Sequence, residues 1–291
     1  MRLIAIAALS FAAACSPPQE DRTIGPEDVV SSSATYFTHL WVAEGFSDPE
    51  GVAAAPQGGY FISNVAGEGE AKDGEGWVSI LSVDGEIVTA RFVEGLDAPK
   101  GMAVLNGVLY VADIDQVRRY DAVSGASNGP IAIAGAKFLN DATVWQDAVF
   151  VSDSAASTIH RIDGDSATIW LEGDALSGVN GLLGTGDKML ITTMDSGSLL
   201  SVTKDGEITE IAKGMKNADG VGVVPDGGGW LVSSWPGAVF HVASGRGWVE
   251  LINTREEGVF QNDLTVFGDT VIVPNWKPGT VTAWKIVHSV N

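Results

Sequence analysis

Several protein classes depend on residues that this sequence barely has. Of its 291 residues only Cys15 is a cysteine, so no disulfide framework can staple the chain. Lysine and arginine total 17 against 37 acidic residues, a formal net charge of −20. No basic run is set apart from the acids, so nucleic acid is not an expected partner. The acidity serves solubility first and the attraction of cations second. Four histidines and one cysteine leave little material for a zinc or copper site built from nitrogen and sulfur. The glycine runs Gly58-Gly59 and Gly227-Gly228-Gly229 read as hairpin turns and form no phosphate cradle before a helix. No Gly-x-Ser-x-Gly elbow accompanies Ser152-Asp153 or Ser233-Ser234. There are no long amphipathic heptads, and the apolar run from Leu3 to Ala14 is too short to span a bilayer.

That run has another reading. Arg2, the apolar stretch and the small residues Ala12-Ala13-Ala14 have the plan of an export signal over residues 1–14. Cys15 follows at once, an arrangement that resembles a bacterial lipoprotein signal, in which the cysteine is lipidated and becomes the new N-terminus. Ordinary cleavage after the alanine triplet is the alternative. Residues 15–34, rich in Pro and Ser, read as a flexible tether. The expected location is the periplasm or cell envelope, with a lipid on Cys15 as the sole membrane contact and the protein otherwise a monomer.

The rest of the chain, residues 35–291, repeats. Glycine is abundant at 36 residues, and turn-forming residues recur every ten positions or so, the punctuation of many short strands. A block of a polar residue, Gly or Asp and an apolar strand opens six times: Glu50-Gly51-Val52, Lys100-Gly101-Met102, Asn140-Asp141-Ala142, Asn180-Gly181-Leu182, Asp219-Gly220-Val221 and Asn262-Asp263-Leu264. The spacings are 50, 40, 40, 39 and 43. A second strand follows each opener and ends on Asn64, Asp113, Asp153, Thr193, Ser234 or Asn275, always 13–15 residues past the opener. Third and fourth strands are readable too, as in Trp77 to Val83 and Glu86 to Val93 around Asp84-Gly85, or Leu199 to Val202 and Glu207 to Ile211 around Asp205-Gly206. The Asp-Gly pairs suit hairpin turns that need positive φ.

Four strands per unit at this period read as propeller blades. The expected fold is all-β, a six-bladed β-propeller with four antiparallel strands per blade. The last unit has only three strands of its own, and Tyr36 to Val42 is placed to supply the fourth and close the ring. The extra length of the first unit, Ala66 to Gly76, reads as a loop that overhangs one mouth of the channel. His160 and His241 fall in third strands, away from the inner ring.

The first strand of a blade lines the channel, so the openers Glu50, Lys100, Asn140, Asn180, Asp219 and Asn262 form a ring. Carboxylates and amide carbonyls are ligands for hard cations. Asn or Asp before Gly is also a common turn former, and that reading stands beside the first. Lys100 brings a positive charge that either weakens a nearby cation or anchors an anionic substrate. Trp235 and Trp276 follow second strands near a channel mouth.

The openers Glu50-Gly51, Asn140-Asp141, Asn180-Gly181 and Asp219-Gly220, in this order and spacing, resemble those of the gluconolactonase / senescence marker protein (regucalcin) family and, more distantly, the paraoxonases, over residues 36–287. The resemblance implies one divalent cation held by Glu50, Asn180 and Asp219. Ca²⁺ is the first candidate, with Mg²⁺, Mn²⁺ and Zn²⁺ as alternatives. It also implies substrate contact at Asn140. Asp219, a carboxylate at the ion, is the expected proton acceptor and with Asn140 the catalytic pair, and Lys100 and Asn262 in the same ring are expected beside the substrate. The implied activity is metal-dependent hydrolysis of a small lactone or ester. Similar lactonases often carry Arg where this chain has Phe138, which points to a less polar substrate. The phrase Ala98-Pro99-Lys100-Gly101-Met102 is similar to an NHL-type repeat, many of which are binding scaffolds. The second expectation is therefore a non-catalytic binding module on the cell envelope.

Overall fold

A computed structural model describes residues 29–32, 35–243 and 247–288. Cys15, the export segment and most of the tether lie outside the described residues. The chain forms six sheets of antiparallel strands arranged as the blades of one propeller. The inner strands of blades 1 to 5 are Pro49–Ala54, Pro99–Leu105, Leu139–Trp145, Val179–Thr185 and Ala218–Val224. In blade 6 the inner position is divided between Phe260–Gln261 and Thr265–Phe267. Burial falls from the axis outward. The second strands Tyr60–Asn64 and Ala148–Asp153 are buried along their whole length, because neighbouring blades cover both faces. The outer strand Ile208–Ala212 has no fully buried residue.

The ring closes as expected. Thr35–Glu44 pairs antiparallel with the last strand, Thr280–His288, and so completes blade 6 from the other end of the chain. Val29–Ser32, inside the stretch read as tether, adds a further strand on the outside of Thr35–Glu44. The Asp84-Gly85 and Asp205-Gly206 turns take the expected positive φ at the glycine, +83° in each case. In both turns the glycine N–H bonds back three residues, and the strands rejoin one residue later. The aspartates need no left-handed backbone.

One irregularity recurs and positions the functional residues. In blades 1 to 5 the inner strand holds an extra residue against its neighbour at the opener, between Pro49/Val52, Pro99/Met102, Leu139/Ala142, Val179/Leu182 and Ala218/Val221. These are β-bulges, which re-aim side chains. The constant distance to the next polar residue has the same origin, since Asn64, Asp113, Asp153, Thr193 and Ser234 pair with the residue just before the opener. These residues brace the entry to the inner strand. Asp153, for example, accepts the N–H groups of Lys137 and Phe138 at 2.8 and 3.0 Å.

The N–H freed by the bulge needs an acceptor. A hydroxyl on the second strand supplies it in four blades: Ser63 for Gly51, Ser152 for Asp141, Thr192 for Gly181 and Ser233 for Gly220. Two of these hydroxyls also reach the next blade. Ser152 donates to the Asn180 carbonyl at 2.8 Å, and Thr192 donates to the Asp219 carbonyl.

Candidate functional site

The openers are not turn residues. Five of them sit in bulged strands, Asn262 lies between the two inner segments of blade 6, and the glycine that follows four of them answers to packing. A Cβ on Gly101 would overlap Asp141, and one on Gly220 would overlap Asp263, each on the adjacent blade. Asp141 and Asp263 are thus admitted where the preceding blade offers Gly101 and Gly220.

All six openers line one cavity of about 200 Å³, together with Gly69, Phe138, Met194, Trp235 and Trp276. Each opener is between 3% and 6% exposed. Buried polar side chains normally find partners inside the protein. Here the side chains of Glu50, Asn140, Asn180, Asp219 and Asn262 make no hydrogen bond to any described residue, while the backbones of Asn180, Asp219 and Asn262 are held. Five oxygen-bearing side chains thus converge, largely buried and without protein partners, on one small space.

Lys100 is the exception. Its Nζ donates to the carbonyls of Gly69 at 2.9 Å and Ala98 at 3.3 Å, and lies 4.6 Å from the centre of the Phe138 ring. The ammonium fastens the loop between the second and third strands of blade 1 over the cavity. That loop is tied down again where Lys72 pairs with Asp115 at 2.5 Å. The ring position expected to face substrate is thus largely spent on the protein's own backbone.

The electrostatics follow from burial. Glu50 is held well above the usual carboxylate range by desolvation; Lys100 pulls it down, while Asp219 and Asp141 push it further up. Asp219 is raised to about 7, first by burial and then by Asp141. Lys100 is lowered by burial against the pull of Glu50, Asp113 and Glu70. Beneath the ring, Asp141 is raised to about 7 by burial, opposed by the N–H groups of Leu182 and Ala142. Asp263 stands well above its ordinary range through burial and the charges of Asp141, Asp219 and Glu50. Asp141 and Asp263 escaped the sequence reading. They were legible only as the two places where the second opener position departs from glycine.

Among the described residues no group of three or more His, Cys, Asp and Glu side chains is arranged to hold a metal ion. A cation at the ring would need amide oxygens as well as the two carboxylates. Glu50, Asn180 and Asp219 with Asn140 and Asn262 supply such a set, and their lack of protein partners leaves the oxygens free for it. The histidines stay apart from the ring. His160 lies 3.2 Å from the Thr158 hydroxyl, and His241 lies 2.6 Å from the Gly228 carbonyl, both in third strands.

The sequence matches no protein family and no curated protein. Solved structures share the architecture. A gluconolactonase from Xanthomonas campestris superposes with a TM-score of 0.65 at 15% identity, covering 92% of this chain and 99% of that one. A catalytically inactive virginiamycin B lyase from Staphylococcus aureus with quinupristin gives 0.59 at 15% identity, covering 86% and 100%. A nidogen/laminin complex gives 0.60 at 14% identity, covering 73% and 86%. At these identities the likeness extends to the fold. One such fold belongs to a gluconolactonase, one to a lyase and one to a nidogen/laminin complex.

Proposed function

We propose that this propeller is a metal-dependent hydrolase of lactone or ester type, with one divalent cation, Ca²⁺ in the first instance, held by Glu50, Asn180 and Asp219. The convergence of buried, unpartnered oxygen donors on one cavity carries this reading. Such a cost in desolvation is offset when the site binds something that needs those oxygens. An all-oxygen set with two carboxylates suits a hard cation. When bound, the ion supplies Lewis-acid polarisation of a carbonyl oxygen and acidifies water.

The chain's own residues do the rest. Asn140 and Asn262 present amides from opposite sides of the ring and orient the ester group. Asp219 accepts the proton of the water that adds to the carbonyl carbon, then returns it to the alkoxide as the carbon–oxygen bond breaks. A carboxylate at the ion is placed for that exchange. The loop fastened by Lys100 limits the entry of bulk water. We further read the chain as exported and lipid-anchored through Cys15, which places the reaction at the cell envelope.

The test is a thermal melt of chelated protein with Ca²⁺, Mg²⁺, Mn²⁺ or Zn²⁺ added back, beside Asp219→Ala, followed by a lactone and ester panel. A ligand that binds only the folded state raises its stability. The reading holds if one ion raises the melting temperature, the variant loses the response and the ion is needed for turnover. If no ion acts and nothing is turned over, the hydrolase reading falls and the envelope binding module takes its place.

A further inference from the structure

The ring cavity is bounded by a lip. Phe138 stands just before the inner strand of blade 3, Met194 and Trp235 just after the second strands of blades 4 and 5, and Trp276 near the end of the second strand of blade 6. All four are half-buried, whereas the ring residues are buried. Two grooves adjoin this lip. One, of about 320 Å³, touches Phe138 and Met194, and the other, of about 420 Å³, touches Trp235 and extends over blade 5. Their charges differ. The ring cavity sets Glu50 and Asp219 against Lys100, and the first groove sets Glu70 and Asp195 against Lys137. The blade 5 groove reverses the balance, with Lys216 and Arg255 against Glu250 alone. In a chain of net charge −20, that reversal is not a by-product of composition.

The aromatic side chains of the blade 5 groove are fixed by the fold. Trp235 lies in the turn between Gly229–Ser234 and Ala238–Ala243. Its backbone N–H donates to the Asn217 carbonyl at 3.1 Å, and its own carbonyl accepts from Asn217 Nδ2 at 2.9 Å. Trp248, 39% exposed on the outer strand Gly247–Asn253, spends its indole N–H on the Lys213 carbonyl at 2.8 Å and meets Phe240 edge-on at 4.9 Å. Both rings are therefore preorganised, which lowers the cost of binding. The cations are less occupied. Lys216 makes no ion pair with any described residue. Arg255 reaches Glu250 at 3.5 Å and the Ser234 hydroxyl at 3.4 Å, both at the outer limit of a hydrogen bond. Glu250 also accepts from Asn253 at 2.9 Å. A long, partly exposed ion pair contributes little to stability, so the guanidinium fork is open to a better acceptor.

We propose that this groove is a binding site for a small organic anion, with a carboxylate held by Lys216 and Arg255 and a flat apolar body lying against Trp235 and Trp248. A planar guanidinium donates paired, charge-assisted bonds to a carboxylate, and indole rings offer a flat apolar body large contact area. At physiological ionic strength charges are screened beyond about 8 Å, so the two local cations outweigh the distant acids of the chain. The site stands apart from the hydrolase reading, because none of its residues is an opener. Trp235 is common to the groove and the ring cavity.

The experiment is a calorimetric titration of the full chain, freed of divalent ions and of chelator, with probes of one shape and different charge: 2-naphthoate, 2-naphthamide and 2-naphthylmethylammonium. Naphthoate is expected to bind saturably and at least about tenfold more tightly than the amide, as hydrogen bonds to a charged group allow, with the ammonium weakest. That advantage should shrink severalfold between about 50 mM and about 500 mM salt. Lys216→Met and Arg255→Gln should each remove most of it, whereas Trp248→Leu should weaken naphthoate and naphthamide alike. Melting curves check that each variant is folded. Probes that bind alike, no saturable binding, or an advantage that survives both cation variants and high salt overturns the proposal. The titration contains no metal, so it is separable from the cation test. A failed lactone and ester panel would leave this site standing, and absent naphthoate binding would leave the hydrolase reading untouched.

Discussion

The channel of this propeller ends in two cavities of nearly equal size and opposite chemistry. At the mouth where the inner strands begin, about 200 Å³ is floored by the six openers. At the mouth where they end, about 210 Å³ is lined by aliphatic residues such as Val52, Met102, Leu182 and Val221, with Asp141 and Asp263 as its only acids. Asp141 spends both oxygens on backbone, accepting from Ala142 at 2.7 Å and Leu182 at 2.6 Å, and Asp263 accepts from Leu264 at 2.7 Å. The carboxylates of the first cavity have no such partners. Volume therefore says little about function here. What separates the two ends is whether the buried acids are used by the fold or left for a ligand.

Substitution on the two sides should break this symmetry of size. Asp219→Asn is expected to abolish the stabilisation given by a saturating cation, ~2.7 kcal/mol at a hundredfold excess over Kd, while apo stability holds or rises because an unpartnered buried charge is gone. Melting curves with and without ion read both effects. Asp141→Asn should do the opposite. It keeps the cation response but loses an acceptor for one buried N–H, at a cost of about 1–3 kcal/mol, seen as a lower denaturation midpoint in the apo protein.

Gly220→Ala tests the packing between the two rings. The new methyl overlaps Asp263, and overpacking of this kind costs roughly 1–3 kcal/mol, measured by chemical denaturation. Thr192→Val removes the hydroxyl that holds the Gly181 N–H and the Asp219 carbonyl. About 1–2 kcal/mol of stability should go with it, and cation affinity should fall because Asp219 is less firmly placed.

A further effect is in pH. Asp219 and Asp141 rise from 3.8 to about 7 on folding. A carboxylate that binds its proton more tightly when folded makes stability fall as pH rises from about 4 to about 7, and adds no further slope above that. Chelated protein should therefore lose stability across this window. A bound cation should flatten or reverse the slope, and Asp219→Asn should weaken it.

The repeat makes much of this plan readable in the sequence. The interval of 13–15 residues between opener and second polar residue survives because the second residue pairs next to the bulge. The closing strand was legible because the last unit lacked one and Tyr36 to Val42 was apolar. The lip was only half legible: Trp235 and Trp276 stood out beside the second strands, but nothing marked Met194. Asp141 and Asp263 were hidden because strand alternation does not reveal that a bulge turns two consecutive residues toward the axis. Lys100 left two readings open until its donors were seen to end on Gly69 and Ala98.

By itself the sequence determined the number of blades, the order of strands and the identity of the six openers, since these depend on local pattern and period. The tertiary structure alone decided that the openers meet in one cavity, all but Lys100 without protein partners, and that Asp141 spends both oxygens on backbone at the other end. Those facts depend on contacts between residues far apart in the chain, such as Thr265 with the Val52 carbonyl across the closure. Whether a buried carboxylate has a partner is a property of the closed ring, and no single blade contains it.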